Sequence, residues 1–137
     1  MVKNIYVDMC ADLFHFGHVS LLKRAKNLGD NLIVGIHSDK TIESYKRTPI
    51  MNMQERIAVV EACKYVDKVI PNAPLEITEE YIKSNNIDIV AHAHYESENE
   101  KYNFMYKIPS EMGIFVRLDY TPSVSTTNII NRLKNTT

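Results

Sequence analysis

The chain has 137 residues, 45% of them apolar and 24% charged, with a formal net charge of -1. That length builds one core and leaves little room for a second, and the composition is that of a folded globular domain rather than a disordered or membrane-embedded one. A charge so near balance offers no basic excess for nucleic acid, so no nucleic-acid partner is expected.

One lysine precedes the first apolar run, a start that does not read as a signal peptide, and no run is long enough to span a bilayer. The two cysteines, Cys10 and Cys63, stand far apart and fit a reducing compartment. A cytoplasmic chain without an intrinsic membrane segment is the expectation.

Lys3 to Asp8 reads as a first strand. Asp12-Leu13-Phe14-His15-Phe16-Gly17-His18 follows it as a turn. A first helix runs from His18 to about Leu28, with Leu21, Leu22, Ala25 and Leu28 on one face and Lys23, Arg24 and Lys26 on the other, and Gly29 ends it. Asn31 to His37 is a continuous, β-branched apolar run, the pattern of a strand buried on both faces in a parallel sheet.

Ser38 to Pro49 is polar and reads as a loop that carries Lys46 and Arg47. Gln54 to Tyr65 is expected to be a second helix, with Arg56 in its early turns. Asp67 to Ile70 is a short third strand, closed by Pro71-Asn72-Ala73-Pro74, and Thr78 caps a third helix that opens with Glu79 and Glu80. Ile87 to Ala91 is a fourth strand, with His92 and His94 at its carboxyl end. Tyr95 to about Lys107 shows no period and reads as a long loop with a helical turn near Phe104. Gly113 to Leu118 is a fifth strand, and Ser125-Thr126-Thr127 supplies caps for a last helix carrying Ile129, Ile130 and Leu133.

Strands alternating with helices imply a single α/β domain over residues 1–137: a Rossmann-like, doubly wound, five-stranded parallel sheet with helices on both faces. Such sheets bind ligands outside the carboxyl ends of their strands. The polar clusters around Asp12, Lys46, His92 and Ser125 all follow strands, so they gather at one edge. A turn that feeds a helix is also a natural phosphate site, because the first N–H groups of the helix have no internal partner and carry its positive dipole end.

His15-Phe16-Gly17-His18 and Val124-Ser125-Thr126-Thr127 resemble the His-x-Gly-His and Ile-Ser-Thr-Thr motifs of the cytidylyltransferases that act on phosphoethanolamine, phosphocholine and glycerol 3-phosphate. Gly29-Asp30, Met51 to Arg56, Tyr65 to Val69 and Asn72-Ala73-Pro74 are similar to segments of the same family, and Met112 to Phe115 is most similar to its ethanolamine type. The resemblance implies transfer of CMP from CTP to a small phosphoalcohol, with Mg²⁺ arriving on CTP. It implies His15, His18 and Lys46 as catalytic residues, and Asp12, Gly17, Arg56, His92, Ser125, Thr126 and Thr127 as nucleotide-binding residues, with no protein-held metal. A homodimer is expected on the same ground.

The chain also departs from the pattern. Met9 stands where glycine is usual, Ala11 where phenylalanine is, Lys64 where many members have arginine, Tyr120 in place of an arginine and Ser123 in place of a glycine. Leu75 and Ala93 replace a tryptophan and an acid found in choline-type members, which weakens a quaternary amine as substrate. Glu96, Glu98 or Glu100 is the expected carboxylate for a primary ammonium, and Arg117 a substitute for the missing arginine if the strand register allows it. The competing readings are a non-catalytic nucleotide-binding protein and a metal module built on His15, His18, His92 and His94.

Overall fold

β1 (Asn4–Met9) forms the centre of a five-stranded sheet, with β2 (Asn31–Ile36) on one side and β4 (Ile89–Ala93) on the other. β3 (Lys68–Pro71) and β5 (Phe115–Leu118) are the edges, so the order is β3-β2-β1-β4-β5 and every pairing is parallel. Pro71 ends an edge strand, where a missing N–H is tolerated. The computed structural model describes residues 1–120 and 125–136.

Alternation along the strands divides the core in two. Ile5, Val7, Leu32 and Val34 face α1 (Phe16–Lys26) and α3 (Met53–Glu61), meeting Leu22, Ala25 and Val60. On the opposite face Tyr6, Ile33 and Val90 meet Ile82 of α4 (Glu79–Ser84), together with Ile77, Met105 and Tyr106. Helices thus cover both faces, as the doubly wound expectation requires. Gly35 permits the second layer to close: a Cβ there would lie 2.1 Å from the Tyr6 hydroxyl and 2.7 Å from Ala73 Cβ.

Several boundaries move for local reasons. α1 starts at Phe16 rather than His18, because His15 is its N-cap, and it stops at Lys26. Gly29 is therefore no helix terminator. A Cβ there would lie 2.8 Å from Ile5 Cδ1 and 2.9 Å from the Lys3 carbonyl, so its role is close approach to the start of β1. The loop expected over 38–49 contains α2 (Asp39–Glu43), capped by Ser38, whose hydroxyl accepts from the Thr41 N–H. α3 begins one residue earlier than expected and ends at Glu61.

β4 runs to Ala93, which takes His92 into the strand. The stretch expected to be a loop over 95–107 holds a 3₁₀ turn (Glu96–Glu98) and α5 (Asn99–Tyr102). It is followed by α6 (Lys107–Glu111), hidden in the sequence by Pro109, which the first turn of a helix accommodates. α7 (Thr126–Asn135) is capped by Ser125; Ser123 and Val124 lie outside the described residues. Among the described residues no helix is long and apolar enough to cross a membrane.

Candidate functional site

The chain winds from β1 outward to β3, then returns across the sheet to β4 and β5, so strand order reverses between β1 and β4. A cavity of about 380 Å³ opens there, floored by Asp8 and Met9 of β1 and by His92 and Ala93 of β4. Its size and position suit a small-molecule site.

One end of the cavity is the β1–α1 turn. Ala11 (φ 61°) and Leu13 (φ 50°) both adopt the left-handed conformation that L side chains disfavour by roughly 1–2 kcal/mol each. That turn swings His15 into the N-cap position. His15 Nδ1 accepts from the Gly17 N–H at 3.0 Å, and His18 Nδ1 accepts from the His15 N–H at 3.0 Å. A backbone amide can only donate, so both neutral rings carry their proton on Nε2. Burial holds His15 below the usual histidine range, helped by the Arg132 charge. It drives His18 down to about 3, with the charges of His15 and Lys46 adding to it. Two uncharged N–H donors at a helix N-terminus are thus fixed in tautomer by the cap itself. Gly17 keeps an unstrained φ, and it contributes a cavity wall without a side chain.

Asp12 organises the next wall. Its carboxylate accepts from the Met51 N–H and the Ile50 N–H, each at 2.9 Å, and from Arg47 at 3.0 Å. These bonds hold the carboxyl below its usual range against the opposing effect of burial. The Asp12 carbonyl accepts from the Thr126 hydroxyl at 3.0 Å, which ties the start of α7 to the same turn. The segment so anchored carries Lys46 and Arg47 to the cavity. Ser125 Oγ accepts from the Asn128 N–H as a cap, and Ser125, Thr126 and Thr127 all line the cavity.

Arg56 is not among the lining residues. It is fully buried and donates to the carbonyls of Cys10 and His37, each at 2.8 Å, and of Met51 at 3.2 Å, while pairing with Asp39. The structure does not bring it to the cavity wall with the other residues expected to bind nucleotide; its donors are spent on backbone carbonyls and on Asp39. A buried guanidinium with five donors joins the chain just beyond β1 and β2, because no apolar side chain would satisfy those carbonyls.

Another part of the cavity lining is acidic and aromatic. Asp8 is 2% exposed, accepts from the Tyr106 hydroxyl at 2.6 Å and pairs with His37 Nε2 at 3.2 Å. Burial opposes its ionisation, yet the His37 bond and charge, the His92 charge and the Tyr106 bond hold its carboxyl below the ordinary value. His37 Nδ1 in turn meets the Tyr45 hydroxyl at 2.8 Å. His92 packs against Tyr102 and Tyr106 with ring centroids 4.8 Å from each, and burial lowers it to about 4. A buried carboxylate beside tyrosine rings has the chemistry that suits a cation.

The structure therefore brings together His15, Gly17, His18, Lys46, Asp12, His92 and Ser125 to Thr127. It leaves Arg56, Arg117 and the three glutamates out. Arg117 donates to the His94 carbonyl and pairs with Asp119, and the Glu98 carboxylate accepts from the Tyr95 N–H. Asp8, Tyr102 and Tyr106 escaped the sequence reading. Asp8 ends an apolar run and is spaced like a face residue, so alternation along β1 is the signal that finds it. Among the described residues no three His, Cys, Asp or Glu side chains form a group suited to a metal ion, and Asp12 is already saturated by its own partners.

Residues 6–132 match the family described as Cytidylyltransferase-like. Ethanolamine-phosphate cytidylyltransferase of Dictyostelium discoideum is 42% identical over 95% of this chain and 36% of its own length. The Arabidopsis thaliana enzyme of the same name is also 42% identical, over 96% of this chain and 32% of its own. Human choline-phosphate cytidylyltransferase A is 40% identical over 95% of this chain and 36% of its own. The chain thus spans about a third of the length of these relatives. The lipopolysaccharide core biosynthesis protein of Thermoplasma volcanium shares the fold, with a TM-score of 0.69 and 23% identity over 88% of this chain and 98% of its own.

Proposed function

The chain belongs to the cytidylyltransferase-like family, and we propose that it transfers CMP from CTP to phosphoethanolamine, releasing pyrophosphate and forming a CDP-alcohol of the kind phospholipid synthesis consumes. The observation that carries this reading is one cavity that gathers neutral N–H donors, cations, a buried acid and tyrosines. The phosphates and the ammonium of CTP and phosphoethanolamine match that set.

In this reading a phosphate oxygen of phosphoethanolamine attacks the α-phosphorus of CTP. A new P–O bond forms as the bond to the β-phosphate bridge breaks, and pyrophosphate leaves with that electron pair. The attacking phosphomonoester has a second pKa near ~6 and is mostly a dianion at neutral pH, so no general base is needed. The protein's work is positioning and charge stabilisation. His15 and His18 donate Nε2–H to the triphosphate, Lys46 and Arg47 neutralise the phosphates brought together, and Thr126 and Thr127 bound the same end. Asp8 draws the ammonium. Mg²⁺ belongs to this reading as a companion of CTP, held by phosphate oxygens and water and neutralising their charge. A cytoplasmic homodimer is part of the same proposal, supported by two free thiols and by the family resemblance.

The test is pyrophosphate release with CTP or ATP against phosphoethanolamine, phosphocholine and glycerol 3-phosphate. Turnover with CTP and phosphoethanolamine is expected. CTP binding without pyrophosphate from any acceptor would overturn the reading in favour of a non-catalytic nucleotide-binding protein.

A further inference from the structure

Lys46 is exposed on the segment that follows α2, and among the described residues it makes no ion pair. A lysine so placed has a long flexible stem whose many rotamers cost entropy to fix. What meets its ammonium is the ring of Tyr45. Lys46 Nζ lies over that ring, 5.6 Å from the centroid, within the range of cation–π attraction. The ring is itself tethered. Tyr45 is 40% exposed, yet its hydroxyl reaches His37 Nδ1 at 2.8 Å, and the two rings stand nearly perpendicular, at 86°. Buried His37 in turn donates from Nε2 to the ionised Asp8 carboxylate at 3.2 Å. Three side chains thus lead from β1 to the ammonium. The start of the lysine stem is fixed as well, because the Tyr45 and Lys46 N–H groups both donate to the carbonyl of buried Ile42, at 3.1 and 2.8 Å.

We infer that Tyr45 is the positioning residue for Lys46: the Asp8–His37–Tyr45 chain fixes the ring, and the ring keeps the ammonium at the cavity wall. All four residues line the same cavity. Adjacency alone does not deliver a lysine to it, since Lys64 over Tyr65 and Lys101 over Tyr102 make the same contact and neither lysine lines the cavity. An aromatic face also suits the task better than a carboxylate. It holds an ammonium without neutralising it, so the charge stays available to a phosphate. Burial raises the Tyr45 hydroxyl above the usual tyrosine range, so no phenolate forms to pair with the lysine. Beyond Lys46 the segment has its second anchor, the Asp12 carboxylate with Arg47, Ile50 and Met51. The inference rests on the proposed nucleotidyl transfer, since it names how Lys46 is delivered to the phosphates; Tyr45 acts through the lysine and touches no substrate in it.

The experiment is NMR of the lysine side chains in the full chain, beside kcat and KM with CTP and phosphoethanolamine, for the parent, Tyr45→Phe and Tyr45→Leu. Protons above a ring face move upfield. The Lys46 Hε signals, assigned by their loss in Lys46→Ala, should therefore lie upfield of the ordinary lysine position in the parent and return to it in Tyr45→Leu. An ordinary position in the free parent overturns the inference whatever the activity. Tyr45→Phe keeps the ring and loses the tether, so it should keep part of the shift, and it carries the test should Tyr45→Leu not fold. A full shift with full kcat in Tyr45→Phe overturns the tether. Tyr45→Leu should lower kcat about 10-fold and Tyr45→Phe about 3-fold, each more than it raises KM for CTP. In Lys46→Ala the change Tyr45→Leu should lower the residual turnover by less than about twofold, since its effect passes through the lysine. Additive losses overturn the inference, because a merely structural defect acts whether or not Lys46 is present. If the shifts behave as expected but no acceptor releases pyrophosphate from CTP, the catalytic reading fails and the placement of Lys46 by Tyr45 stands.

Discussion

His15 has two separable duties, because one nitrogen caps α1 and the other faces the cavity end where phosphate is expected. His15→Ala removes both and should cost about 1 kcal/mol of stability as a lost cap. His15→Asn keeps a capping oxygen, so its unfolding midpoint in urea should match the parent while turnover falls about 100-fold, the scale of one lost oxyanion donor. His18 makes a prediction in pH. Its folded pKa of about 3 lies below the unfolded value near ~6.5, so between these values the unfolded chain binds a proton that the folded chain does not. This contribution to stability is therefore full above ~6.5 and is lost as pH falls toward about 3. Melting temperatures from pH 7 to 4 should fall, and His18→Gln should flatten part of that slope. At this scale the histidine-glycine-histidine motif was readable, but the nitrogen that carries the proton was not. Tautomers are set by the partner of the second nitrogen, and only geometry shows whether that partner is an amide N–H or an amide oxygen.

At the scale of elements, the segment from Arg47 to Met51 is held to the β1–α1 turn by one carboxylate with three donors. Asp12→Asn loses the charge and turns an N–H₂ toward donors. It should lower stability by about 2 kcal/mol, the worth of hydrogen bonds to a charged group. It should also raise KM for CTP more than it lowers kcat, and expose the Lys46 to Met51 stretch to limited proteolysis. β2 has a tighter limit. Gly35→Ala places a methyl against the Tyr6 hydroxyl and should destabilise the fold by about 1–3 kcal/mol in urea unfolding, with Tyr6→Phe in the same chain recovering part of the loss. Both strand existence and order of elements followed from apolar runs and turn residues. α2, α5 and α6 did not, since helices of four or five residues are stabilised by capping and packing rather than by a period long enough to read.

For the whole molecule, Arg56 joins the carboxyl ends of the two central strands to α3. Arg56→Met leaves three carbonyls without their donor and should lower stability by about 3 kcal/mol or more. Saturating CTP should recover part of this, about 2.7 kcal/mol at a hundredfold excess over Kd, read as a rise in melting temperature. A variant as stable as the parent but unable to bind CTP would instead return Arg56 to the nucleotide.

The apolar runs, the helix spacing and the histidine and serine-threonine motifs determined the parallel sheet, its two covered faces and the edge at which the site lies. These are local patterns, set by the 2.0 and 3.6 residue periods of strand and helix. Which side chains share the cavity was decided only by the tertiary structure. Arg56 and Asp8 both occupy regular positions in their elements, and burial sends one beneath the strand ends as a tie and leaves the other as the acid in the cavity floor. Partners remote in sequence, such as Tyr106 for Asp8 and Thr126 for the Asp12 carbonyl, have no signature along the chain because the fold alone brings them within reach.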